Sequence, residues 1–261
     1  MGKGKMQQAL RKGDARPRGE DAPREAVSAA TTSTAATFAL SAGARRGEVD
    51  PHVVVLTDPN GLQARQYRGI RDALAGLYWP APPQVYVVTS STSGDGTSVT
   101  AANLAFALAE DQQRRVVLVD ANLRSPAVHR LLGVDNQRGL ADYLAGGTMV
   151  EMAVQRSPLP NLWAMCSGRT APNPSELLGS KRLEDLVSRL RRDYDHVVID
   201  CSPVDAGPDA AAMCPRGDGT LLVVRLERTT VDAARNAAGV LRKAGAKVVG
   251  TVVSGVERDE A

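Results

Sequence analysis

The residues best suited to chemistry lie in the segment QVYVVTSSTSGDGTSVTAANLAFALA, residues 84–109. An aliphatic run leads into a loop of Ser, Thr and Gly, and a helical pattern begins near Ser98. A strand that turns through glycines into a helix directs backbone N–H groups and the positive end of the helix at an anion such as phosphate. Gly94 and Gly96 would allow the backbone to approach that phosphate closely.

This loop departs from the general phosphate-loop pattern G-x-x-x-x-G-K-[ST] at two positions. Ser91 stands at the first glycine and Thr97 at the lysine, whereas Gly96 and Ser98 match. No lysine occurs within residues 13–180, so the loop has no local substitute for the missing charge. On its own the loop is equally consistent with a glycine-rich turn that binds nothing.

Acidic residues that end two other aliphatic runs favour a binding site. They are Asp120, followed by Asn122 and Arg124, in RRVVLVDANLRSP (114–126), and Asp200 in YDHVVIDCSPV (194–204). Carboxylates at the carboxyl ends of parallel strands lie at the mouth where open α/β sheets bind ligands. Asp120 and Asp200 could hold a magnesium ion and its waters beside the Ser98 hydroxyl. Taken singly, either Asp could instead be a helix cap or a loop residue.

The elements that must position these residues are visible as alternating patterns from residue 52 onward. Aliphatic runs occur as VVVL, VYVVTS, VVLVD, HVVID, TLLVVRL and VVGTVV, with helical periods near 62–77, 98–112, 175–192 and 230–244. Strand, helix and strand in repetition predict right-handed crossovers and a doubly wound, mostly parallel sheet flanked by helices. Since only 3% of residues are aromatic, the core must be aliphatic, which suits buried parallel strands.

Composition divides the chain into a tail, residues 1–50, and one domain, residues 51–261. Residues 13–50 have too few large apolar side chains to fold, so we expect a mostly disordered linker. KMQQALRK (5–12) could add a short amphipathic turn that docks on a partner, with plain disorder as the alternative. The tail holds nine Lys or Arg and six Asp or Glu, leaving 23 of each elsewhere. The pI of 8.9 therefore reflects the tail and does not indicate nucleic-acid binding.

Cysteine usage and hydropathy point to a cytosolic protein. The three cysteines, Cys166, Cys201 and Cys214, have no C-x-x-C spacing, which favours reduced thiols over disulfides or zinc. No apolar run has the length of a membrane span, and no signal-peptide pattern is present. We expect that work at a membrane would need a second chain. The three histidines are scattered and are interpreted as structural.

In order along the chain, these segments resemble those of the bacterial tyrosine kinases of capsule and exopolysaccharide assembly. Residues 84–126 are similar to the Walker A and A′ segments, and 194–204 to Walker B; APNPSELL (171–178) and GLADYLAGG (139–147) also fit. The resemblance covers residues 52–255. It implies a MinD/ParA-related P-loop fold, ATP or ADP with Mg²⁺, self-association, and a membrane-spanning chain-length (co-polymerase) protein as partner.

The resemblance and the loop together give a set of site residues. Nucleotide contacts are expected from Gly94, Asp95, Gly96, Thr97, Ser98, Val99 and Arg124, magnesium ligands from Ser98, Asp120 and Asp200, and catalysis from Asp120 and Asp200. The family's subunit-contact motif E-x-x-R-x-x-R is matched by Arg65, Arg68 and Arg71, with Arg65 in place of the glutamate. These three cations share roughly one side of a helix, which is either solvated or meets an acidic surface.

Departures from the family pattern suggest weak nucleotide binding and lost or much reduced kinase activity. Thr97 replaces the Walker A lysine, and Asn122 replaces the second acid of the A′ motif. The family's phosphorylated tyrosines lie at the C-terminus, whereas the last tyrosine here is Tyr194. Phosphoryl transfer depends on charge neutralisation, so we expect chemistry to be lost before binding.

The leading hypothesis is a degenerate kinase that regulates polysaccharide polymerisation and export from the inner face of the membrane, where a partner recruits it. One alternative is an active tyrosine autokinase or ATPase in which Arg124, or an arginine of a neighbouring subunit, replaces the lysine. The other is a MinD/ParA-type positioning ATPase. The absence of the lysine that such ATPases carry early in the loop counts against it.

Overall fold

The computed structural model of the protein describes residues 48–77 and 85–256. Most of the expected tail, including the amphipathic turn at residues 5–12, therefore lies outside the described residues. Across the two described ranges, no helix combines the length and the apolar character needed to cross a bilayer.

Seven strands of the described chain form one sheet in the order β3-β4-β2-β5-β1-β6-β7. They are β1 Val85–Ser90, β2 Val116–Asp120, β3 Val154–Arg156, β4 Leu162–Met165, β5 His196–Asp200, β6 Gly219–Arg225 and β7 Val248–Ser254. Neighbouring strands are parallel except for β3, which pairs antiparallel with β4 at one edge. The prediction of a doubly wound, mostly parallel sheet is confirmed.

Helices cover both faces of this sheet. They are α1 Val54–Thr57, α2 Leu62–Gly76, α3 Thr97–Leu108, α4 Val128–Leu132, α5 Leu140–Leu144, α6 Val150–Ala153, α7 Pro174–Leu178, α8 Lys181–Asp193, α9 Asp209–Met213 and α10 Val231–Lys243. The helix expected at 175–192 is two helices. The backbone becomes extended at Ser180, whose hydroxyl donates to the Leu177 carbonyl oxygen at 2.7 Å.

The prediction that VVVL forms the first strand is wrong, because this segment forms the helical turn α1. Asn103 of α3 holds this turn, accepting from the Val55 N–H at 3.0 Å and donating to the His52 carbonyl oxygen at 2.8 Å. The segment's backbone is thus satisfied against a helix and needs no strand partner. The short strands β3 and β4 have no long aliphatic run, and the sequence did not predict them.

Alternation along β1 divides the core into two layers. Val85 and Val87 pack with α8 and α10 on one face, and Tyr86 and Val88 pack with α3 on the other. Residues 100–108 of α3 are buried all round the helix, as expected for a helix enclosed in a core. Because α3 is enclosed, the loop that precedes it has a fixed position at the carboxyl ends of β1, β5 and β6.

Candidate nucleotide site

The phosphate loop, residues 91–96, joins β1 to α3 through two left-handed glycines. Gly94 has φ +87° and Gly96 has φ +95°, a region that residues with a Cβ rarely adopt. Gly96 is the N-cap of α3, and no side chain caps the helix. The N–H groups of the first turn therefore keep the positive end of the helix available to an anion.

Asp95 braces this loop from inside the protein. Its buried carboxylate accepts hydrogen bonds from the backbone N–H of Thr92 (3.1 Å) and from the hydroxyls of Thr92 (3.0 Å) and Thr229 (2.9 Å). Its carbonyl oxygen accepts from the Ser254 hydroxyl at 2.5 Å. The side chain of Asp95 thus ties the loop to Thr229, after β6, and its carbonyl oxygen ties the loop to Ser254, at the end of β7. Its backbone N–H remains as the group to offer a nucleotide.

The two acidic residues meet as expected, as direct neighbours at the ends of β2 and β5. They differ in how they are satisfied. Asp120 accepts from the backbone N–H groups of Asn122, Ala127 and Val128, each at 3.1 Å, and so caps α4. Asp200 is fully buried, and neither of its oxygens accepts a hydrogen bond of normal geometry from a described residue, although the Ser98 hydroxyl lies close enough to lower its pKa.

Both carboxyl groups are shifted toward the protonated form. Burial raises the pKa of Asp200 well above its usual range, and the charge of Asp120 adds to the shift, while the nearby Ser98 hydroxyl opposes it. Burial also raises the pKa of Asp120 to about 6, against the three backbone hydrogen bonds. A buried carboxylate without a partner is costly unless a proton or a cation neutralises it.

Magnesium fits this arrangement. Mg²⁺ binds hard oxygen ligands and is commonly held by one or two carboxylates together with the phosphates of a substrate. The partnerless oxygens of Asp200, with Ser98 in the first turn of α3 and Asp120 beside it, supply that donor set. No group of three or more His, Cys, Asp or Glu residues in the described part of the chain forms a different metal site.

The cation that the sequence offered in place of the missing lysine, Arg124, is directed elsewhere. Its guanidinium binds both oxygens of Asp209, at 2.7 and 3.3 Å, and donates to the Ser175 hydroxyl at 2.9 Å. The Ser175 hydroxyl in turn donates to Asp209 at 2.6 Å. Since the Asp209 side chain is only 1% exposed, Arg124 neutralises a buried charge and joins the β2 end to α7 and α9.

The three arginines of α2 are not equivalent. Arg68 and Arg71 bind the carboxylate of Glu110, just beyond the end of α3, with Nε of Arg68 at 2.7 Å and Nη1 of Arg71 at 2.8 Å. The Glu110 side chain is 12% exposed. Arg65 is exposed and makes no ion pair with any described residue. Two of the three cations therefore hold α2 against α3 within the chain.

Sequence reasoning missed two arginines that lie at the phosphate loop. Nη1 of Arg225, at the end of β6, donates to the Gly94 carbonyl oxygen at 3.4 Å. The guanidinium of Arg228, in the loop after β6, lies directly against Gly94. Both arginines follow an aliphatic run, in TLLVVRLERTT (220–230), as Asp120 and Asp200 do. This position at the end of a strand is the signal by which they could have been identified.

The fold and this site define a P-loop nucleotide-binding domain. The sequence profile of the CobQ/CobB/MinD/ParA nucleotide binding domain matches residues 86–260. Tyrosine-protein kinase YwqD of Bacillus subtilis is 34% identical over 81% of this chain and 89% of its own length. The chain therefore belongs to the bacterial tyrosine kinase family within the MinD/ParA-type domains.

Other relatives place the domain in longer or related proteins. The putative tyrosine-protein kinase EpsB of Ralstonia nicotianae is 35% identical over 76% of this chain, which corresponds to only 26% of EpsB. The kinase domain of the Escherichia coli tyrosine kinase ETK superposes with a TM-score of 0.78 at 26% identity, covering 83% of this chain and 84% of that domain. The septum site-determining protein MinD of Pyrococcus horikoshii, complexed with Mg-ADP, has a TM-score of 0.58 at 27% identity, covering 68% and 72%.

Proposed function

We propose that the chain is a cytosolic kinase-like subunit of capsule or exopolysaccharide assembly that binds Mg-ATP or Mg-ADP weakly and regulates the machinery without phosphorylating tyrosine efficiently. The observation that carries this proposal is Asp200, buried and without a partner beside an uncapped phosphate loop that has Thr97 in the lysine position. The site keeps its place for magnesium and for phosphate, but it lacks the lysine that the general phosphate-loop pattern places between them.

Retention of binding is supported by the backbone of the site. The left-handed glycines and the open N-terminus of α3 provide N–H groups for phosphate, and these groups do not depend on the lysine. Ser98 and Asp200 provide oxygens for magnesium. The similar fold of MinD, complexed with Mg-ADP, supports the same ligand class here.

Loss of efficient chemistry is supported by the charges. Thr97 carries none, and Arg124 is held by Asp209. The transferred phosphoryl group would meet less positive charge than in a lysine-bearing loop, and one well-placed cation is worth orders of magnitude in rate. Asn122 accepts from the Ser202 hydroxyl at 3.0 Å and from the Ser125 N–H at 3.2 Å. It thus serves the loop structure, without the charge of the acid it replaces.

The test is to give the purified full chain radiolabelled ATP and magnesium, with Asp200→Asn as the matched control. We expect measurable binding that Asp200→Asn abolishes, with no phosphotyrosine by blotting and mass spectrometry. The second candidate function, an active autokinase, is favoured by the intact Asp120 and Asp200 pair. A strong phosphotyrosine signal that disappears in Asp120→Ala would establish that candidate and reject ours.

The proposed partner is a membrane-spanning chain-length protein that recruits the domain to the inner face of the membrane. This part of the proposal follows from membership of the tyrosine kinase family. Such a partner gene is to be sought beside this one, together with genes for glycosyltransferases and export proteins. Fractionation of cells with and without that gene tests this part of the proposal. Recovery of the chain in the membrane fraction only when the partner is present is the expected result, and recovery independent of any such gene contradicts it.

A further inference from the structure

The phosphate loop of this chain is in contact with positive charge, although its lysine is missing. A Cβ atom built on Gly94 would stand 2.8 Å from Nη1 of Arg228, 3.0 Å from Cζ and 3.0 Å from Nη2. The guanidinium of Arg228 therefore packs against the loop at Gly94. Nη1 of Arg225 adds a donor to the Gly94 carbonyl oxygen at 3.4 Å.

Arg228 also has no ion-pair partner among the described residues, and it is exposed. Arg124 is the contrasting case, since its guanidinium is held by both oxygens of a buried aspartate. An arginine without a carboxylate partner keeps its full charge and its planar set of donors available for a phosphate.

The position of Arg228 is fixed by its neighbours. Glu227 has φ +64°, the one positive φ of a non-glycine residue in the described part of the chain, and such a conformation needs support from its surroundings. The support comes from Thr229, whose hydroxyl accepts from the Arg225 N–H at 2.9 Å and donates to Asp95 at 2.9 Å. The turn that carries Arg228 is thereby fastened to the phosphate loop itself.

We propose that Arg228, with Arg225 beside it, is the phosphate-facing cation of this domain and supplies from the β6–α10 loop part of the charge that Thr97 does not. Its ligand is the phosphate chain of the magnesium nucleotide. This inference rests on the proposed nucleotide binding and assigns the missing charge to a residue outside the loop motif. It also differs from both sources that the sequence suggested, Arg124 and a neighbouring subunit.

The experiment is calorimetric titration of the full chain with Mg-ATP at one ionic strength. The variant is Arg228→Gln, which removes the charge and leaves a shorter, polar side chain. The matched control is Arg235→Gln on α10, because Arg235 is 79% exposed and its nearest carboxylate is 4.0 Å away. We expect Arg228→Gln to weaken binding roughly tenfold or more, the scale of one charge-assisted hydrogen bond, and Arg235→Gln to leave it within about twofold.

A rescue distinguishes charge from support of the loop. If Arg228 supplies charge, Thr97→Lys should restore binding in the Arg228→Gln background, and Arg228→Lys should retain most of it. If Arg228 only shapes the loop, the gain from Thr97→Lys would be no larger in the Arg228→Gln background than in the wild type, and that result would overturn the inference. Urea unfolding of each variant verifies that the fold is kept.

The two proposals fail in different ways. Wild-type binding that Asp200→Asn abolishes and Arg228→Gln leaves unchanged would contradict the role of Arg228 while supporting nucleotide binding. Absence of Mg-ATP binding by the wild-type chain would contradict the proposed function, and with it the role of Arg228.

Discussion

At the scale of single residues, Asp200 shows how a binding site costs stability in the absence of its ligand. Its carboxyl group is fully buried without a hydrogen-bond partner, whereas Asp120 beside it accepts three backbone hydrogen bonds. Folding provides Asp120 with partners and leaves Asp200 without them. The difference supports the proposal that Asp200 is kept for a ligand, since most buried polar groups in folded proteins have a hydrogen-bond partner.

Replacing Asp200 by Asn should stabilise the ligand-free protein and abolish magnesium-nucleotide binding. Because the folded-state pKa of Asp200 lies above its unfolded value, its contribution is most favourable at low pH and is lost as pH rises through the folded pKa. We expect Asp200→Asn to be about 1 to 3 kcal/mol more stable than wild type at pH 8, the cost of leaving a buried polar group unsatisfied, with the difference shrinking toward pH 5. Urea unfolding at both pH values measures it, and a less stable Asp200→Asn protein at pH 8 would contradict it.

Thr97→Lys tests the missing charge directly. We expect the lysine to tighten Mg-ATP binding by about 1 to 3 kcal/mol, the scale of a charge-assisted hydrogen bond. The gain should be larger in the Arg228→Gln background, because the two cations then no longer share the phosphate charge. Calorimetry on the four proteins gives the coupling. Tight wild-type binding with no gain from lysine would mean that another cation already does the whole task.

At the scale of elements, an ion-pair cluster holds α2 against α3. From the sequence, the arginines of α2 were expected to be solvated or to contact an acidic surface. Glu110 binds Arg68 and Arg71, and Arg68 also donates to the Pro59 carbonyl oxygen at 2.6 Å. Glu110 is mostly shielded from water, so the loss of an arginine leaves a poorly solvated charge. The basic side of α2 is thus largely part of the domain's own structure.

Arg68→Ala and Arg65→Ala should therefore behave differently. We expect Arg68→Ala to lower the free energy of unfolding by about 1 to 3 kcal/mol, because the shielded Glu110 carboxylate loses one of its two arginine partners. Arg65→Ala should change it by less than about 0.5 kcal/mol, as for an exposed side chain without a partner. Urea denaturation of both variants is the measurement. Equal effects would show that the cluster contributes nothing specific.

Arg65 is consequently the residue with which to test subunit contact through α2. If this helix meets an acidic surface of a second subunit or of the membrane partner, Arg65→Ala should weaken association while the fold stays intact. Light scattering of the protein alone and with its partner's cytosolic tail, at low salt and at 1 M salt, tests this, since salt screens such contacts. Association identical to wild type at low salt would leave Arg65 as a solvated side chain.

At the scale of the whole molecule, two tyrosines of the described residues, Tyr86 and Tyr194, take part in packing. Tyr86 lies inside β1 at 3% exposure, and burial raises its pKa to about 12. Tyr194 packs edge-on against Trp163, with ring centroids 5.5 Å apart. Residues 195–261 contain no tyrosine.

Restoring the loop lysine should therefore not restore autophosphorylation on a C-terminal tail. We expect Thr97→Lys to bind nucleotide more tightly and still to give no phosphotyrosine beyond residue 194, because that part of the chain contains no tyrosine. Attaching a tyrosine-rich tail to the Thr97→Lys protein distinguishes the effect of the missing loop lysine from that of the missing tyrosines. Phosphorylation of that tail would show that the site is competent, and its absence would indicate a second defect such as Asn122.

The thiols report on the integrity of the whole fold. Cys166, Cys201 and Cys214 are free and buried, and burial is the main cause that raises the pKa of Cys166 to about 12. We expect no thiol to react with a disulfide reagent in the native protein at pH 8, and all three to react once urea unfolds it. Rapid reaction of any thiol in the native state would show local opening of the core.

The sequence by itself determined the parts of this protein that depend on local pattern. Aliphatic runs gave β1, β2, β5, β6 and β7, because a strand buried on both faces must be apolar throughout. The glycine-rich turn gave the phosphate loop, and the rule that parallel strands end at one edge brought Asp120 and Asp200 together. The absence of a lysine was equally visible, since it is a fact of composition.

Only the tertiary structure decided what each polar side chain does. VVVL is a helical turn because Asn103, about fifty residues later, satisfies its backbone. Asp120 caps a helix while Asp200 is left without a partner, and Arg124 is held by Asp209 while Arg228 reaches Gly94. These assignments join residues far apart in the chain. Two aspartates or two arginines in similar sequence contexts can have different roles. Their roles differ because packing gives a partner to one of them and none to the other.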